Sequence, residues 1–382
     1  MTRPKVALDA RRAVRPMTGI GHYVLELAKR IPALAPDLEI QLLADRPFSG
    51  GALPGGCTQV VLGRSVGDFT PQARLYSPLW LNTLVPSYLK RNGVSLYHGT
   101  NSVVPLLPPC RVVCSVHDLS FVGLPGAYGP VYRSYMRAQV RIALGRSDVV
   151  ISGSDSARND LAGALGIARD DVVVIHHGVG DEFRIGHDHG YLRRVRGQFD
   201  LPERYILHVG IVEVKKGIDT LLEASAGVIC SGLADAVVIA GRDGLGAREI
   251  RDRACQLGLS DRAMFLGFVP QDLLPGLYSS ASVVVFSSRY EGFGLPVLEG
   301  MASGVPVIAA NTSSIPEVAG DAAILFPAGD AGRLADALRA VLGCAQLRLD
   351  LVRRGMARVK QFSWEESAAK HVAVYRRVLG IN

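Results

Sequence analysis

Two successive doubly wound α/β domains, each built on a parallel sheet, are what this sequence predicts, on three observations. The chain has 382 residues, which at ~100 to 200 residues per domain suits two domains. Short β-branched runs alternate with longer amphipathic stretches from end to end, and parallel strands need such helical crossovers. That alternation breaks once, in a polar stretch, and then restarts.

The first series comprises Lys5 to Ala10, Glu39 to Ala44, Ser95 to Gly99, Val112 to Val116, Asp148 to Ser152 and Val172 to His176, each an apolar run short enough for a buried strand. The break is Asp181 to Asp200, with Gly186-His-Asp-His-Gly190 and Arg193-Arg-Val-Arg196, and reads as a linker. The second series is Tyr205 to Val209, Ala236 to Ala240, Met264 to Gly267, Val283 to Phe286, Pro306 to Ala310 and Ala323 to Phe326. An amphipathic run from Ser363 to the end closes the chain, with Ser363 and Glu366 spaced as a capping box. The expected division is therefore a first domain over 1–185 and a second over 186–362, with a last helix, 363–382, packing back on the first. Ligands of such sheets bind outside the carboxyl ends of the strands, so two sheets facing a cleft place the site in that cleft.

Composition narrows the class. Apolar residues make up 48% and charged residues 20%, which excludes a disordered or fibrous chain. No apolar run approaches the ~18 residues of a spanning helix, and the N-terminus reaches Asp9 after Val6, Ala7 and Leu8, too few for a secretory signal. A cytoplasmic protein is expected. The six cysteines are scattered, with Cys110 and Cys114 near one another but no second pair to complete a zinc site. Residues 1–185 hold 20 Lys/Arg against 14 Asp/Glu, so most of the net charge of +7 sits in the first half. Nucleic acid, an anionic membrane face or an anionic substrate would each account for that asymmetry.

The stretch richest in chemistry is Val284-Val-Phe-Ser-Ser-Arg-Tyr-Glu291-Gly-Phe293-Gly294-Leu295-Pro296-Val-Leu-Glu299. A strand ends near Ser287, a glycine loop follows, and Pro296 falls where an early helical residue is favoured. The N–H groups of Gly294 and Leu295 then lie at a helix N-terminus, where unmade hydrogen bonds and the dipole attract an anion such as phosphate. Glu291 in the loop and Glu299 about one turn into the helix can face the same ligand. An ionised carboxylate only accepts hydrogen bonds and is repelled by phosphate, so its partners are hydroxyls. Hydroxyls on two sides of a phosphate describe a nucleotide sugar, one glutamate serving the transferred sugar and the other the ribose. Two helix-start glutamates facing solvent are the alternative.

Glu291, seven residues, then Glu299, continued by Gly304-Val-Pro306-Val-Ile and Ser314-Ile-Pro316-Glu317-Val-Ala-Gly320, resembles the signature of the retaining glycosyltransferases of family 4, which have the GT-B fold of two Rossmann-like domains. Tyr205 to Ala224, Ser115-Val-His117-Asp118 and Gly19-Ile-Gly21-His-Tyr23 resemble further elements of that family, particularly its mannosyltransferase-like branch. The resemblance implies roles. Lys215 and Lys216 neutralise the diphosphate leaving group as the sugar bond breaks. Glu291 contacts the sugar, and His117 bonds a sugar hydroxyl of donor or acceptor. Gly19, Gly21, Gly210, Phe293, Gly294, Leu295 and Glu299 line the donor. Two departures stand out: Ile211 occupies a position where many members carry Arg, which shifts weight onto Lys215, and His177-Gly178-Val179 stands where many have Asn-Gly-Val.

No two aspartates are spaced two apart, so the Asp-x-Asp pair that holds a divalent cation in other glycosyltransferases is absent, and a mechanism without metal or other cofactor is expected. His176-His177 and His187-Asp188-His189 lack cysteine partners and read as a solvated loop rather than a zinc cluster. A nicotinamide-dependent dehydrogenase is disfavoured because Val24 occupies the third glycine position of the fingerprint after Gly19 and Gly21. The expected function is transfer of a hexose, mannose from GDP-mannose, to a saccharide or lipid-linked acceptor in cell-surface polysaccharide assembly. A GT-B sugar-nucleotide epimerase and a non-catalytic nucleotide-sugar-binding protein are the alternatives. Nucleic acid is not an expected partner. Arg133, Arg137 and Arg141, spaced i, i+4, i+8 with Tyr132, Tyr135 and Met136, predict a helix face for anionic lipid, with Leu79-Trp80-Leu81 and Leu89-Lys90-Arg91 as a second surface and a solvated helix face as the alternative.

Overall fold

The computed structural model describes residues 3–14, 19–48, 53–63, 77–166, 168 and 171–381. Met1 and Thr2 of the expected first domain, and Asn382 of the expected last helix, lie outside the described residues. The chain forms two compact units, one of Met1–Val122, Tyr128–Gly178 and Trp364–Asn382, the other of Gly123–Ala127 and Val179–Ser363.

The first unit holds a seven-stranded sheet of β1 (Lys5–Asp9), β2 (Glu39–Ala44), β3 (Cys57–Val61), β4 (Leu96–Gly99), β5 (Arg111–Val116), β6 (Val149–Ser152) and β7 (Val172–Val174). All pairs are parallel, in the order β3-β2-β1-β4-β5-β6-β7. Val6, Ala7 and Leu8 are all sealed from solvent, as expected of a strand covered on both faces. β3 was not foreseen. It is an edge strand whose sequence, Cys-Thr-Gln-Val-Val, mixes polar and apolar residues and stays half-exposed, so no apolar run marks it.

The second unit holds β8 (Tyr205–Val209), β9 (Ala236–Ala240), β10 (Ala263–Gly267), β11 (Val283–Phe286), β12 (Val307–Ala310) and β13 (Ala323–Phe326). They form a parallel sheet in the order β10-β9-β8-β11-β12-β13. Alternate residues feed separate apolar layers: Tyr205, Leu207, Val284 and Phe286 enter one, Ile206, Val283 and Val285 the other. Both units are Rossmann-like α/β folds with helices on the sheet faces.

The linker expectation for Asp181 to Asp200 is corrected. A 3-10 turn, Asp181–Phe183, and a helix, His189–Gln198, lie there inside the second unit. Phe183 and Val195 are wholly buried in its core, and Tyr191 donates its hydroxyl to the Asp272 carbonyl at 2.7 Å. The polar look of the stretch comes from one solvated helix face, while a few apolar residues at helical spacing carry the packing. Asp188, expected in a solvated loop, caps this helix through Tyr191 N at 3.1 Å. His177, placed in the same loop reading, is instead buried in the first unit with its ring stacked 5.7 Å from Trp364.

The last helix, Trp364–Leu379, starts one residue after Ser363 and packs along the helix Gly19–Leu34 of the first unit. A buried relay joins them. His371 Nδ1 must donate to the Ser367 carbonyl (2.7 Å), so its bare Nε2 accepts from Tyr23 Oη (2.7 Å). Tyr23 then accepts from Ser115 Oγ (2.8 Å), Ser115 from His98 Nε2 (2.8 Å), and His98 Nδ1 from Tyr375 Oη (2.7 Å). Neutral histidines thus satisfy every member of the relay.

Candidate functional site

The order of the second sheet reverses direction between β8 and β11, because the chain leaves β8 toward β9 on one side and β11 toward β12 on the other. Such a switch point opens a crevice at the carboxyl ends of the two strands. Gly210 follows β8 and Ser287 follows β11, so the expected site residues of this unit converge there.

After Gly210 the chain makes a 3-10 turn, Val214–Lys216, that carries both lysines. Three donors from the segment after β11 hold this turn by successive carbonyls. Arg289 Nη1 donates to Val214 O at 2.5 Å, Arg289 N to Lys215 O at 2.8 Å, and Ser287 Oγ to Lys216 O at 2.9 Å. The other arm of Arg289 reaches Asp219 Oδ2 at 2.5 Å. Gly217 ends the turn at φ +62°, where a Cβ would fall on the Ser287 carbonyl, so glycine is the residue that fits.

The segment that holds the lysines also supplies Glu291, whose Oε1 lies 2.6 Å from Lys216 Nζ. Burial works against its charge, but Lys216 and then Lys215 outweigh burial and hold the Glu291 carboxyl below its ordinary range. Lys215 is itself buried, and the Lys216 ammonium lies 5.7 Å from the centre of the Phe286 ring. Ser313 and Ser314 fix the loop: Ser313 Oγ accepts from Glu291 N at 2.8 Å, and Ser314 Oγ reaches the carbonyls of Glu291 and Phe293 at 3.0 and 2.8 Å. His208, one strand residue before Val209, is buried beside Lys216 and held neutral, its pKa pushed down to about 4 by burial and then by that ammonium.

The helix Leu295–Ala302 begins at this loop with Gly294 as its N-cap at φ +110° and Pro296 in its first turn. A Cβ on Gly294 would sit 2.6 Å from Ile315 Cδ1, so a side chain is excluded there. The Phe293 ring packs into the core against Phe362, at 5.9 Å between centres, so the ring is core rather than ligand surface. Glu299 lies further along the helix, its Oε2 accepting from Tyr278 Oη at 2.7 Å. Burial lifts its pKa to about 7; the Tyr278 hydrogen bond pulls the other way and the Glu182 charge adds to the rise.

The remaining expected residues belong to the first unit. His117 follows β5 and donates Nε2–H to the Thr100 carbonyl at 2.9 Å. Burial pushes its pKa down to about 4, so it is a neutral imidazole whose Nδ1 is a lone-pair acceptor, and no partner of Nδ1 is found among the described residues. Gly19 and Gly21 form the first turn of the helix Gly19–Leu34. The expected lipid-facing surfaces are partly corrected. In the helix Pro130–Arg146, Arg133 and Arg137 are half-buried, whereas Val131, Tyr132, Tyr135 and Arg141 are exposed. Trp80 and Leu81 are buried, with Arg11 stacked 4.2 Å over the Trp80 ring, and Leu89 is buried too, so these residues are core rather than surface.

Tyr278, Ser287, Arg289, Ser313 and Ser314 had no assigned role in the sequence. Four of them, all but Tyr278, lie within or just beyond the motif segments, but which backbone atoms they hold is set by strands distant in sequence. Tyr278 precedes Glu299 by 21 residues in another helix, and no local pattern announces it.

Residues 193–358 match the family described as Glycosyl transferases group 1, and residues 17–183 that described as Glycosyltransferase Family 4. O-antigen chain mannosyltransferase B of Escherichia coli is 29% identical over 94% of this chain and 96% of its own length. D-inositol 3-phosphate glycosyltransferase of Acidothermus cellulolyticus is 30% identical, covering 94% of this chain and 86% of its own. Among solved structures, sucrose-phosphate synthase of Thermosynechococcus elongatus superposes with a TM-score of 0.82 at 23% identity over 99% of this chain and all of its own. WaaG, a glycosyltransferase involved in lipopolysaccharide biosynthesis, does so with 0.77 at 17% over 97% and 99%. Motif, sheet order and these relatives agree: the chain belongs to glycosyltransferase family 4 and has the GT-B fold.

Proposed function

We propose that this glycosyltransferase moves mannose from GDP-mannose, with retention of configuration and without a metal ion, onto a saccharide or lipid-linked acceptor in cell-surface polysaccharide synthesis. The observation that carries the reading is the switch-point cluster: Lys216 paired with Glu291 at 2.6 Å, beside the N-terminus of the helix Leu295–Ala302. The choice of mannose is supported by the names of relatives such as the O-antigen chain mannosyltransferase.

In this reading the diphosphate of the donor lies against the helix N-terminus and the two lysines. As the bond from the sugar C1 to the phosphate oxygen breaks, negative charge grows on the diphosphate, and the ammonium groups stabilise it. An ammonium has three protons, so Lys216 can keep its bond to Glu291 while a second proton meets the leaving group. Glu291, held ionised, accepts from hydroxyls of the sugar, and Glu299 from those of the ribose. His117 offers Nδ1 to a sugar hydroxyl of donor or acceptor. A donor phosphate oxygen takes the acceptor proton as the new bond forms on the same face.

Titration calorimetry and a labelled-sugar transfer assay test this. Glu291→Ala should abolish transfer and weaken intact GDP-mannose more than GDP. Removing Lys215 or Lys216 should cost ~2 to 4 kcal/mol of transition-state stabilisation, seen mainly in turnover. EDTA should leave the rate unchanged. Full activity without the lysines, loss of activity in EDTA, or unchanged affinities for both ligands in Glu291→Ala would refute it.

We also propose that the helix Pro130–Arg146 rests on an anionic membrane surface. Its exposed Val131, Tyr132 and Tyr135 beside Arg141 support this, as does the positive balance of the first 185 residues. No helix among the described residues is long and apolar enough to cross a membrane.

A further inference from the structure

Glu299 is held by a partner that lies outside every motif of the sequence. Tyr278, wholly buried in the helix Leu274–Ser279, donates its hydroxyl to Glu299 Oε2 at 2.7 Å. Its ring is wedged edge-on against Phe183, 5.7 Å between centres. The short helix that carries it is tied down at the two residues preceding Tyr278. Tyr205 of β8 donates to the Leu277 carbonyl at 2.6 Å, and Gly276 N donates to Tyr191 Oη at 3.0 Å. The phenol is therefore a fixed point rather than a mobile side chain.

The two oxygens of Glu299 differ in consequence. Oε2 is taken by Tyr278, whereas no donor reaches Oε1 among the described residues, and the side chain is only partly buried. We propose that Tyr278 is a positioning residue of the donor site: it pins one oxygen of Glu299 so that the other is presented, already oriented, to hydroxyls of the nucleotide. The inference rests on the reading of Glu299 as the ribose contact. Pinning removes rotamer freedom that a ligand would otherwise have to freeze on binding.

The same hydrogen bond bears on ionisation. The titratable groups acting on Glu299 are Tyr278 from the helix Leu274–Ser279 and Glu182 from the 3-10 turn Asp181–Phe183. The helix Ala345–Arg358 also packs on the helix Leu295–Ala302, and its Arg358 is directed to the carbonyls of Glu317 and Val318. Among the described residues, Tyr278 is thus the group that favours the carboxylate against burial and Glu182. A carboxylate accepts ligand hydroxyls better than a carboxylic acid, so affinity rises with pH through the Glu299 midpoint, and removal of the phenol moves that midpoint upward.

The experiment is calorimetric titration of the full chain with GDP between pH 6 and 8.5, for wild type, Tyr278→Phe and Glu299→Gln. Wild-type affinity should climb with a midpoint near 7. Tyr278→Phe, which keeps the ring and loses the hydroxyl, should bind roughly ten-fold more weakly at pH 7 and reach its midpoint at higher pH. Glu299→Gln should bind weakly with no midpoint in this range. Wild-type affinity and midpoint in Tyr278→Phe, with Glu299→Gln weakened, overturn the positioning role alone. Wild-type binding by Glu299→Gln overturns the ribose reading and the positioning role with it. Tyr278→Leu, also without a hydroxyl, gives a second measurement should the phenylalanine variant not fold.

Discussion

Lys216 and Glu291 hold each other in the charged state at a place where neither is well hydrated, their side chains 15% and 12% exposed. Desolvation of both charges offsets much of their attraction, so the pair adds little net stability, yet breaking it strands a charge. Lys216→Met should therefore destabilise the second unit by about 2 to 3 kcal/mol in urea unfolding, and adding Glu291→Gln should recover a good part of that loss. The sign with pH follows from Glu291 being held low: its contribution is present at neutral pH and is lost as the pH falls through its folded-state value. Additive losses in the double variant would show that the two side chains do not act as a pair. Both residues were legible because each lies in a local motif, whereas Arg289 and Ser287, which set the height of the lysine turn, are recognisable only from the carbonyls they meet.

The last helix is fastened to the first unit by the relay from Tyr375 through His98, Ser115 and Tyr23 to His371. Burial lowers the pKa of His98, His117, His177 and His371, to about 4 for His117 and His371. A lowered histidine binds fewer protons when folded than when unfolded, so its stabilising effect is complete above ~6.5 and fades as pH falls toward 4. At pH 5.5 the loss is about 1.4 kcal/mol each for His117 and His371. The melting temperature of the first unit should drop by many degrees between pH 7.5 and 5.5. At pH 7.5, Tyr375→Phe should cost about 1 to 3 kcal/mol by leaving His98 Nδ1 without a donor. Calorimetric melts check both, and a melting temperature indifferent to pH in this range would refute the neutral relay. The helix itself was legible from its amphipathic spacing; its attachment was not, since the relay joins residues as far apart as Tyr23 and His371.

Across the whole chain the net charge of +7 is uneven, with the excess in residues 1–185. If the exposed face of the helix Pro130–Arg146 meets a membrane, long-range attraction and apolar insertion should contribute together, each surface cation adding ~1 kcal/mol. The protein should then co-sediment with vesicles containing anionic lipid and not with neutral ones. Raising the salt should release it, as the Debye length shrinks from ~10 Å at 0.1 M. Arg141→Glu with Tyr135→Ser should abolish sedimentation while leaving GDP affinity intact. Equal binding to neutral vesicles, or binding to neither, would count against membrane contact.

What the sequence by itself determined is whatever is carried by local pattern. Twelve of the strands stand at or within a residue or two of apolar runs that alternate with helical periods, and Glu291, Gly294, Pro296 and Glu299 mark a strand-loop-helix turn from their own spacing. Strands buried on both faces must be apolar throughout, which is why they can be read without a partner. Tertiary structure decided the rest. The edge strand Cys57–Val61 has no apolar run, and the stretch Asp181 to Asp200 hides its core residues among charges. Trp80, expected on a surface, is buried under Arg11. The protonation of Glu299, the charge of Glu291 and the neutrality of His117 depend on groups brought together from distant segments, because desolvation and Coulomb interactions act through space and leave no trace in the order of residues.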